Sequence, residues 1–185
     1  MIYYTEMNTY IADHYSFRGF VDTTLYSMYQ DNDLRKTGYF RFENGYYRFK
    51  GPYTANGVYL FTGIATDEML LVRAESYARV GDIENAMKDL NTLMVKRWDN
   101  TVPYPEISAT DQADAITKIL SERRKELLMR GIRWADIKRL NKQGENITPT
   151  RFISGETFTL PPNDSRYALP IPIDIITSTG MKQNE

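Results

Sequence analysis

Charged side chains set at helical spacing among apolar ones are the residues here best equipped for chemistry. They concentrate in TDQADAITKILSERRKELLMRGIRWADIKRL, residues 110–140. Between Asp111 and Leu140 stand eight Lys/Arg and five Asp/Glu. Such a segment can offer a basic surface to phosphate or nucleic acid. It can also pair its charges internally and tie down neighbouring loops, as half-buried charges in folded proteins do. The acids are interleaved with the bases and the positive excess is small, so the second reading is preferred. Glu122 and Glu126 lie one turn apart, and Glu126 precedes Arg130 by four, the better order for a helical ion pair. Arg123 interrupts an apolar face of Ile116, Ile119, Leu120 and Leu127, and Arg133, Asp136 and Arg139 follow. Nucleophilic and metal chemistry have little material. There is no cysteine, and His14 is the single histidine. Thiolate chemistry, zinc-thiolate sites and multi-histidine metal sites are therefore excluded. An isolated histidine beside Tyr15 is read as packing or surface, and no metal or cofactor is expected.

These side chains need elements to hold them. Thr110 or Asp111 caps a helix whose first turn carries Asp114, and Gly131 is its natural stop; Arg133–Arg139 continue as a short second helix or turn. Upstream, Thr66 caps a helix through Leu70, Leu71, Ala74, Tyr77 and Ala78 to Gly81. Asp82 caps the next, with Ile83, Ala86, Met87, Leu90, Leu93 and Met94 on one face. Small residues at Ala74, Ala78 and Ala86 let two antiparallel helices approach closely. ESYARVGDIENAMKDLN resembles a tetratricopeptide-type pair, which must stack on a further helix to bury its face. Phe40-Arg41-Phe42 and Tyr47-Arg48-Phe49 alternate around Asn44-Gly45, the signature of a hairpin. Ile2, Tyr3, Tyr4, Met7, Tyr10 and Ile11 suggest a short helix before it. After Leu140 the chain loosens: a strand at Thr157–Leu160, then ALPIPID (168–174), which its prolines make extended.

At 185 residues and 42% hydrophobic content the chain can bury one ordinary core. Its 23 basic and 24 acidic residues leave a net charge of −1, which calls for neither nucleic acid nor anionic lipid. No stretch reaches the ~20 apolar residues that span a bilayer, and the first residues have neither the basic start nor the apolar run of a signal peptide. Aromatic content is 13%, dominated by 14 tyrosines, whose apolar ring and polar tip suit half-wet ligand or partner surfaces.

Three motifs stand in order: LLVRAESYARVGDIENAMKDLNTLMVKR, ILSERRKELLMRGIRWADIKRL and the closing LPIPIDIITSTGMKQN, with LYSMYQDNDLRKTGYF as a lead-in. Together they resemble the C-terminal portion of the SusD/RagB family, the nutrient-binding lipoproteins of bacterial outer membranes. The resemblance implies a non-enzymatic function: surface binding of a glycan or other nutrient, as the lid of a SusC-like, TonB-dependent transporter. It also implies a longer, lipid-anchored parent, since full-length members carry a lipidated cysteine that this chain lacks. Ligand contacts in the family come largely from aromatic and polar residues on variable loops, where rings stack on sugar faces. Tyr39, Tyr46, Tyr47, Arg48 and Tyr53 have that chemistry in a loop-like context and are the candidate ligand-binding residues; hairpin packing is the competing reading for each.

The expected architecture is mainly α: an aromatic, loop-rich hairpin region at 1–65, a tetratricopeptide-like helical core at 66–140 and an extended, proline-rich tail at 141–185. The alternative function is a helix-repeat scaffold for a protein or peptide. A glycan hydrolase would need two carboxylates about 5–10 Å apart across a cleft, and no spacing singles out such a pair.

Overall fold

The computed structural model describes residues 1–8, 19–51, 53–54 and 59–184. His14, Tyr10 and Ile11 lie outside them. The chain divides into two compact units, Met1–Gly131 and Ile132–Glu185.

In the first unit the expected N-terminal helix is instead extended chain. Strand β1 (Glu6–Asn8) pairs antiparallel with β4 (Tyr59–Phe61), and Tyr3 bridges Ile64. Backbone partners from a distant segment outweigh the weak local periodicity. Two short helices follow, α1 (Thr23–Ser27) and α2 (Leu34–Tyr39), each begun by an aspartate whose carboxylate accepts from a backbone amide: Asp22 from Thr24 and Asp33 from Arg35. Strands β2 (Phe40–Glu43) and β3 (Tyr46–Phe49) form the expected hairpin, in register Phe40–Phe49. Asn44 and Gly45 take φ of 51° and 83°, the left-handed pair that a two-residue turn matching strand twist requires.

Helices α3 (Thr66–Arg79) and α4 (Ile83–Met94) pack against each other, with α5 (Gln112–Glu126) against both. Ala74, Ala78, Ala86 and Ala115 are fully buried, so backbones come close where side chains are smallest. Leu71, Leu90 and Ile119 fill the space between. A second cluster, Val21, Leu25, Tyr29, Phe40, Phe49 and Leu60, packs the hairpin and α1. Asp82 and Asp111 cap α4 and α5 as expected. Thr66 does not cap α3: it is the first helical residue, and the cap position is Ala65, without a side-chain hydrogen bond. The loop after α4 is pinned by Asn91. Its side chain accepts from Ile107 N (2.9 Å) and Tyr104 Oη (2.6 Å) and donates to Ile107 O (2.8 Å), standing in for a strand partner.

The charges of α5 are used inside the fold, with partners that differ from those at helical spacing. Helix α5 stops at Glu126, ahead of Gly131, and Met129 has φ 60°. Arg130 therefore leaves the helix surface. Its guanidinium lies 2.7 Å from Gly63 O, 3.3 Å from Glu68 and 3.5 Å from Asp67, over the ring of Phe61 at 4.4 Å. Glu126, with no exposed side-chain surface, instead accepts from Arg35 Nη1 (3.0 Å) and from Arg97 Nε and Nη2 (2.9 and 2.6 Å). Arg35 also holds Asp33 and Glu122, and Lys125 meets Glu122 at 2.5 Å. Arg123 approaches Glu68 at 4.0 Å. Five cations (Arg35, Arg97, Arg123, Lys125, Arg130) thus face five acids (Asp33, Asp67, Glu68, Glu122, Glu126). Burial opposes the charge of Arg35, but Asp33, Glu122 and Glu126 outweigh it and hold the guanidinium above its ordinary pKa.

In the second unit, α6 (Arg133–Lys142) ends near Asn141, whose buried amide donates to Ile147 O (2.8 Å) and accepts from Ile147 N (2.6 Å). The strand expected at Thr157–Leu160 is present at Glu156–Thr159, and the tail carries more structure around it than expected. Strands β5 (Thr150–Ile153) and β6 (Glu156–Thr159) form a hairpin around Ser154-Gly155, again with a left-handed pair, φ 52° and 88°. Helix α7 (Ile173–Thr179) starts just after Pro172 and ends at Gly180 with φ 68°. A proline ahead of a helix's first turn gives up only a donor the helix would leave unpaired. Among the described residues no helix is long and apolar enough to cross a membrane.

Removing Glu126 strands two buried or half-buried arginines. Glu126→Ala is expected to cost about 3–5 kcal/mol, and Glu126→Gln, which keeps an acceptor, clearly less. Urea unfolding followed by Trp98 fluorescence in a Trp134→Phe background measures both; an unchanged midpoint for the alanine variant would refute the central role given to this carboxylate.

Candidate functional site

The five nominated residues separate into three places. Tyr39 and Tyr53 come together at the open end of the β2–β3 hairpin. Tyr39 closes α2 just before β2, and Lys50 N donates to Tyr39 O at 2.6 Å, continuing the ladder past β3. Gly51 is required there: a Cβ on it would lie 2.7 Å from Tyr39 Cδ1 and 3.0 Å from Gly38 O. Around this approach opens a recess of about 340 Å³, lined by Leu34, Arg35, Gly38, Tyr39, Gly51, Tyr53 and Arg97.

The hydroxyls of both tyrosines turn to the buried charges. Tyr53 Oη donates to Asp67 at 2.7 Å and lies 3.3 Å from Glu126 Oε1. Tyr39 Oη is 3.3 Å from Tyr53 Oη. Burial, with Glu126 beside it, pushes the Tyr39 phenol up to about 12 and that of Tyr53 further. Both rings are therefore neutral at any physiological pH, and with their polar tips engaged they offer carbon to the recess. Arg97 supplies the polar group. Burial works against its charge, but the Glu126 carboxylate outweighs it and raises the guanidinium pKa. Its side chain stays 27% exposed, and Glu126 occupies Nε and Nη2, leaving Nη1 for another acceptor.

Tyr46 and Arg48 share the opposite face of β3 from Tyr47. Tyr46 is exposed and stacks on Phe20, ring centroids 4.0 Å apart. Arg48 is 3% exposed, 3.5 Å from Glu43 and 4.9 Å from the Phe20 ring. Tyr47 stacks on Tyr26 at 3.6 Å, and hydrogen bonding between these two phenols pushes Tyr26 up to about 12. Neither Tyr46, Tyr47 nor Arg48 lines the recess. Sequence reading missed Arg97, Leu34 and the close-approach glycine. Arg97 sits just past the end of α4, where no periodicity distinguishes it; the one available signal was the pairing of Gly51 with a preceding tyrosine at hairpin distance.

Comparison with known proteins bears on the family and the fold. SusD-like protein P38 of Formosa agariphila is 32% identical over 98 residues, 51% of this chain and 20% of that protein. A SusD-like carbohydrate binding protein from Bacteroides vulgatus shares the fold at a TM-score of 0.59 and 21% identity, over 87% of this chain and 40% of that one. A second protein of that species reaches 0.66 at 24% identity, over 91% and 40%. A SusD superfamily protein from Bacteroides fragilis gives 0.57 at 19%, over 89% and 40%. The chain thus spans 40% or less of the length of these relatives. The model of the SusD family matches residues 22–185, nearly the whole chain, and the chain belongs to that family, SusD/RagB.

Proposed function

We propose that this chain serves the non-catalytic capture of a carbohydrate nutrient, presented at the outer-membrane surface to a SusC-like, TonB-dependent transporter. Helices α3 and α4 act as a tetratricopeptide-like scaffold, with α5 as the layer that covers them. The observation carrying this reading is the Tyr39–Tyr53 recess. Two neutral rings with their hydroxyls drawn inward leave apolar surface for a sugar face, and the guanidinium of Arg97 is placed to donate to a hydroxyl. The acids nearest to it support binding over hydrolysis. Glu126 is fully buried between two arginines, and Asp67 accepts from Tyr53 and lies beside Arg130. Carboxylates buried and occupied in this way do not flank an open cleft as a hydrolase pair does. The transporter and the cell-surface location rest on family membership, and the carbohydrate on the family and its carbohydrate-binding relative in Bacteroides vulgatus.

The alternative, a scaffold that binds a peptide, has one observation in its favour. A shallow groove of about 640 Å³ runs between α4 and residues 106–109, with Ile83, Met87 and Ile107 among its apolar lining.

Isothermal titration with soluble oligosaccharides separates the readings. A sugar that binds the chain without being cleaved is expected to lose about tenfold in affinity on Tyr39→Ala, ~1.4 kcal/mol. Tyr47→Ala should leave that affinity within about twofold. It should instead lower stability by about 1–2 kcal/mol, because it removes a stacked ring. Release of reducing ends, or sugar affinity indifferent to Tyr39, would overturn the proposal.

A further inference from the structure

Helix α6 carries Trp134, Lys138 and Lys142 four residues apart, which places them on one face. Trp134 is 44% exposed, and its ring lies 5.0 Å from that of Tyr167 at an interplanar angle of 41°. Tyr167 is fixed from behind, its hydroxyl accepting from the buried Asn141 amide at 3.3 Å. Lys138, Lys142, Asn163, Ser165 and Tyr167 line a second recess, of about 290 Å³.

The charge pattern there differs from that under the first recess. Lys138 Nζ donates to Tyr167 O at 3.4 Å, and among the described residues neither Lys138 nor Lys142 pairs with a carboxylate. The acid on the wall, Asp164, is already taken. Arg166 donates to both its oxygens, each at 2.8 Å, and that hydrogen bonding holds the carboxyl down at about 2. Asp164 therefore stays charged but neutralised at its own arginine, and does not set the sign of the recess. Two ammonium groups one turn apart remain, beside a serine hydroxyl and an asparagine amide; the exposed indole of Trp134 stands outside the lining, against the Tyr167 ring that forms part of it.

A neutral sugar has little use for the lysine pair, and a bare anion has none for the indole. A sugar ring bearing a negative substituent uses both: the ring packs on the indole face while the substituent sits between the ammonium groups. We infer that this recess is a second carbohydrate subsite, selective for an anionic sugar that carries a carboxylate or a sulfate ester. The inference rests on the reading of the chain as a carbohydrate binder, and extends it to a different surface.

The chain has two tryptophans, so its indole N–H groups give two resolvable NMR signals. The full chain would be titrated separately with an oligogalacturonide, a sulfated galacto-oligosaccharide, a neutral galacto-oligosaccharide and inorganic sulfate. At least one acidic sugar should move the Trp134 signal with an affinity about tenfold above the neutral sugar's; which one identifies the anion. About 0.5 M NaCl, or the pair Lys138→Gln with Lys142→Gln, should remove that tenfold preference. The lysines are exposed, so the double variant should unfold at the same urea concentration as the parent. A Trp134 signal that ignores acidic sugars, that responds equally to the neutral one, or that is untouched by the double variant overturns the inference. So does a full response to sulfate alone, an adventitious ion only. Signals from Tyr39 and Tyr53 separate the two readings. If they respond to sugar and Trp134 does not, this inference falls and the first recess stands; if neither region responds, both fall.

Discussion

Glu126 is the last residue of α5 and has no solvent-exposed side-chain surface. A carboxylate without partners in that position would be a costly buried polar group. It is held by Arg35 from α2 and Arg97 from the loop after α4, two segments far apart in the chain. The same carboxylate lies within reach of Tyr53 beyond the hairpin. One buried charge therefore fixes the relative positions of α2, α4, α5 and the hairpin exit. Tyr29 adds a constraint at the same helix end, donating to Lys125 O at 2.8 Å.

Buried ion pairs are weak evidence for stability, because desolvation offsets much of the Coulomb attraction. What they supply here is geometry. Leu71, Leu90 and Ile119 could tolerate a sliding or rotated α5, since apolar packing is not directional. The two-point contact of Arg97 with Glu126, and the three acids around Arg35, cannot. The equal count of cations and acids matters for the same reason: a displaced α5 would leave a charge buried without its partner.

The sequence made part of this legible. Helices α3 and α4, the caps at Asp82 and Asp111 and the Asn44-Gly45 hairpin follow from local rules, and local rules suffice where the partner is a few residues away. Membership of the family was legible from three ordered motifs. The charges of Glu122, Arg123, Glu126 and Arg130 do face other charges within the fold, but the pairing of Glu126 with Arg130 was not right. Helical spacing offers Glu126 to Arg130, while the fold gives it to Arg35 and Arg97, which no one-dimensional period connects. The Ser154-Gly155 hairpin was missed because serine is a less usual residue than asparagine at φ 52°. Of the nominated site residues, alternation along β3 could have separated Tyr47 from Tyr46 and Arg48 in advance. That Tyr39 and Tyr53 meet depended on the hairpin's register and on Gly51.

The recess and the ion network share residues, so a ligand bound at the proposed site would couple binding to folding in the first unit. Arg97 is both a wall of the recess and half of the clamp on Glu126. Tyr53 is both a lining ring and a donor to Asp67. A ligand that accepts from Arg97 competes for none of the bonds to Glu126, because these use Nε and Nη2. It therefore adds to the order of the clamp, and a sugar seated there stabilises the folded state by its own binding free energy. The converse also holds. A recess whose walls are fixed by buried charge does not need to be ordered when ligand arrives, so the entropic cost of closing it has been met in folding. That would be the physical advantage of the proposed site's position directly above a buried charge cluster instead of on a free loop.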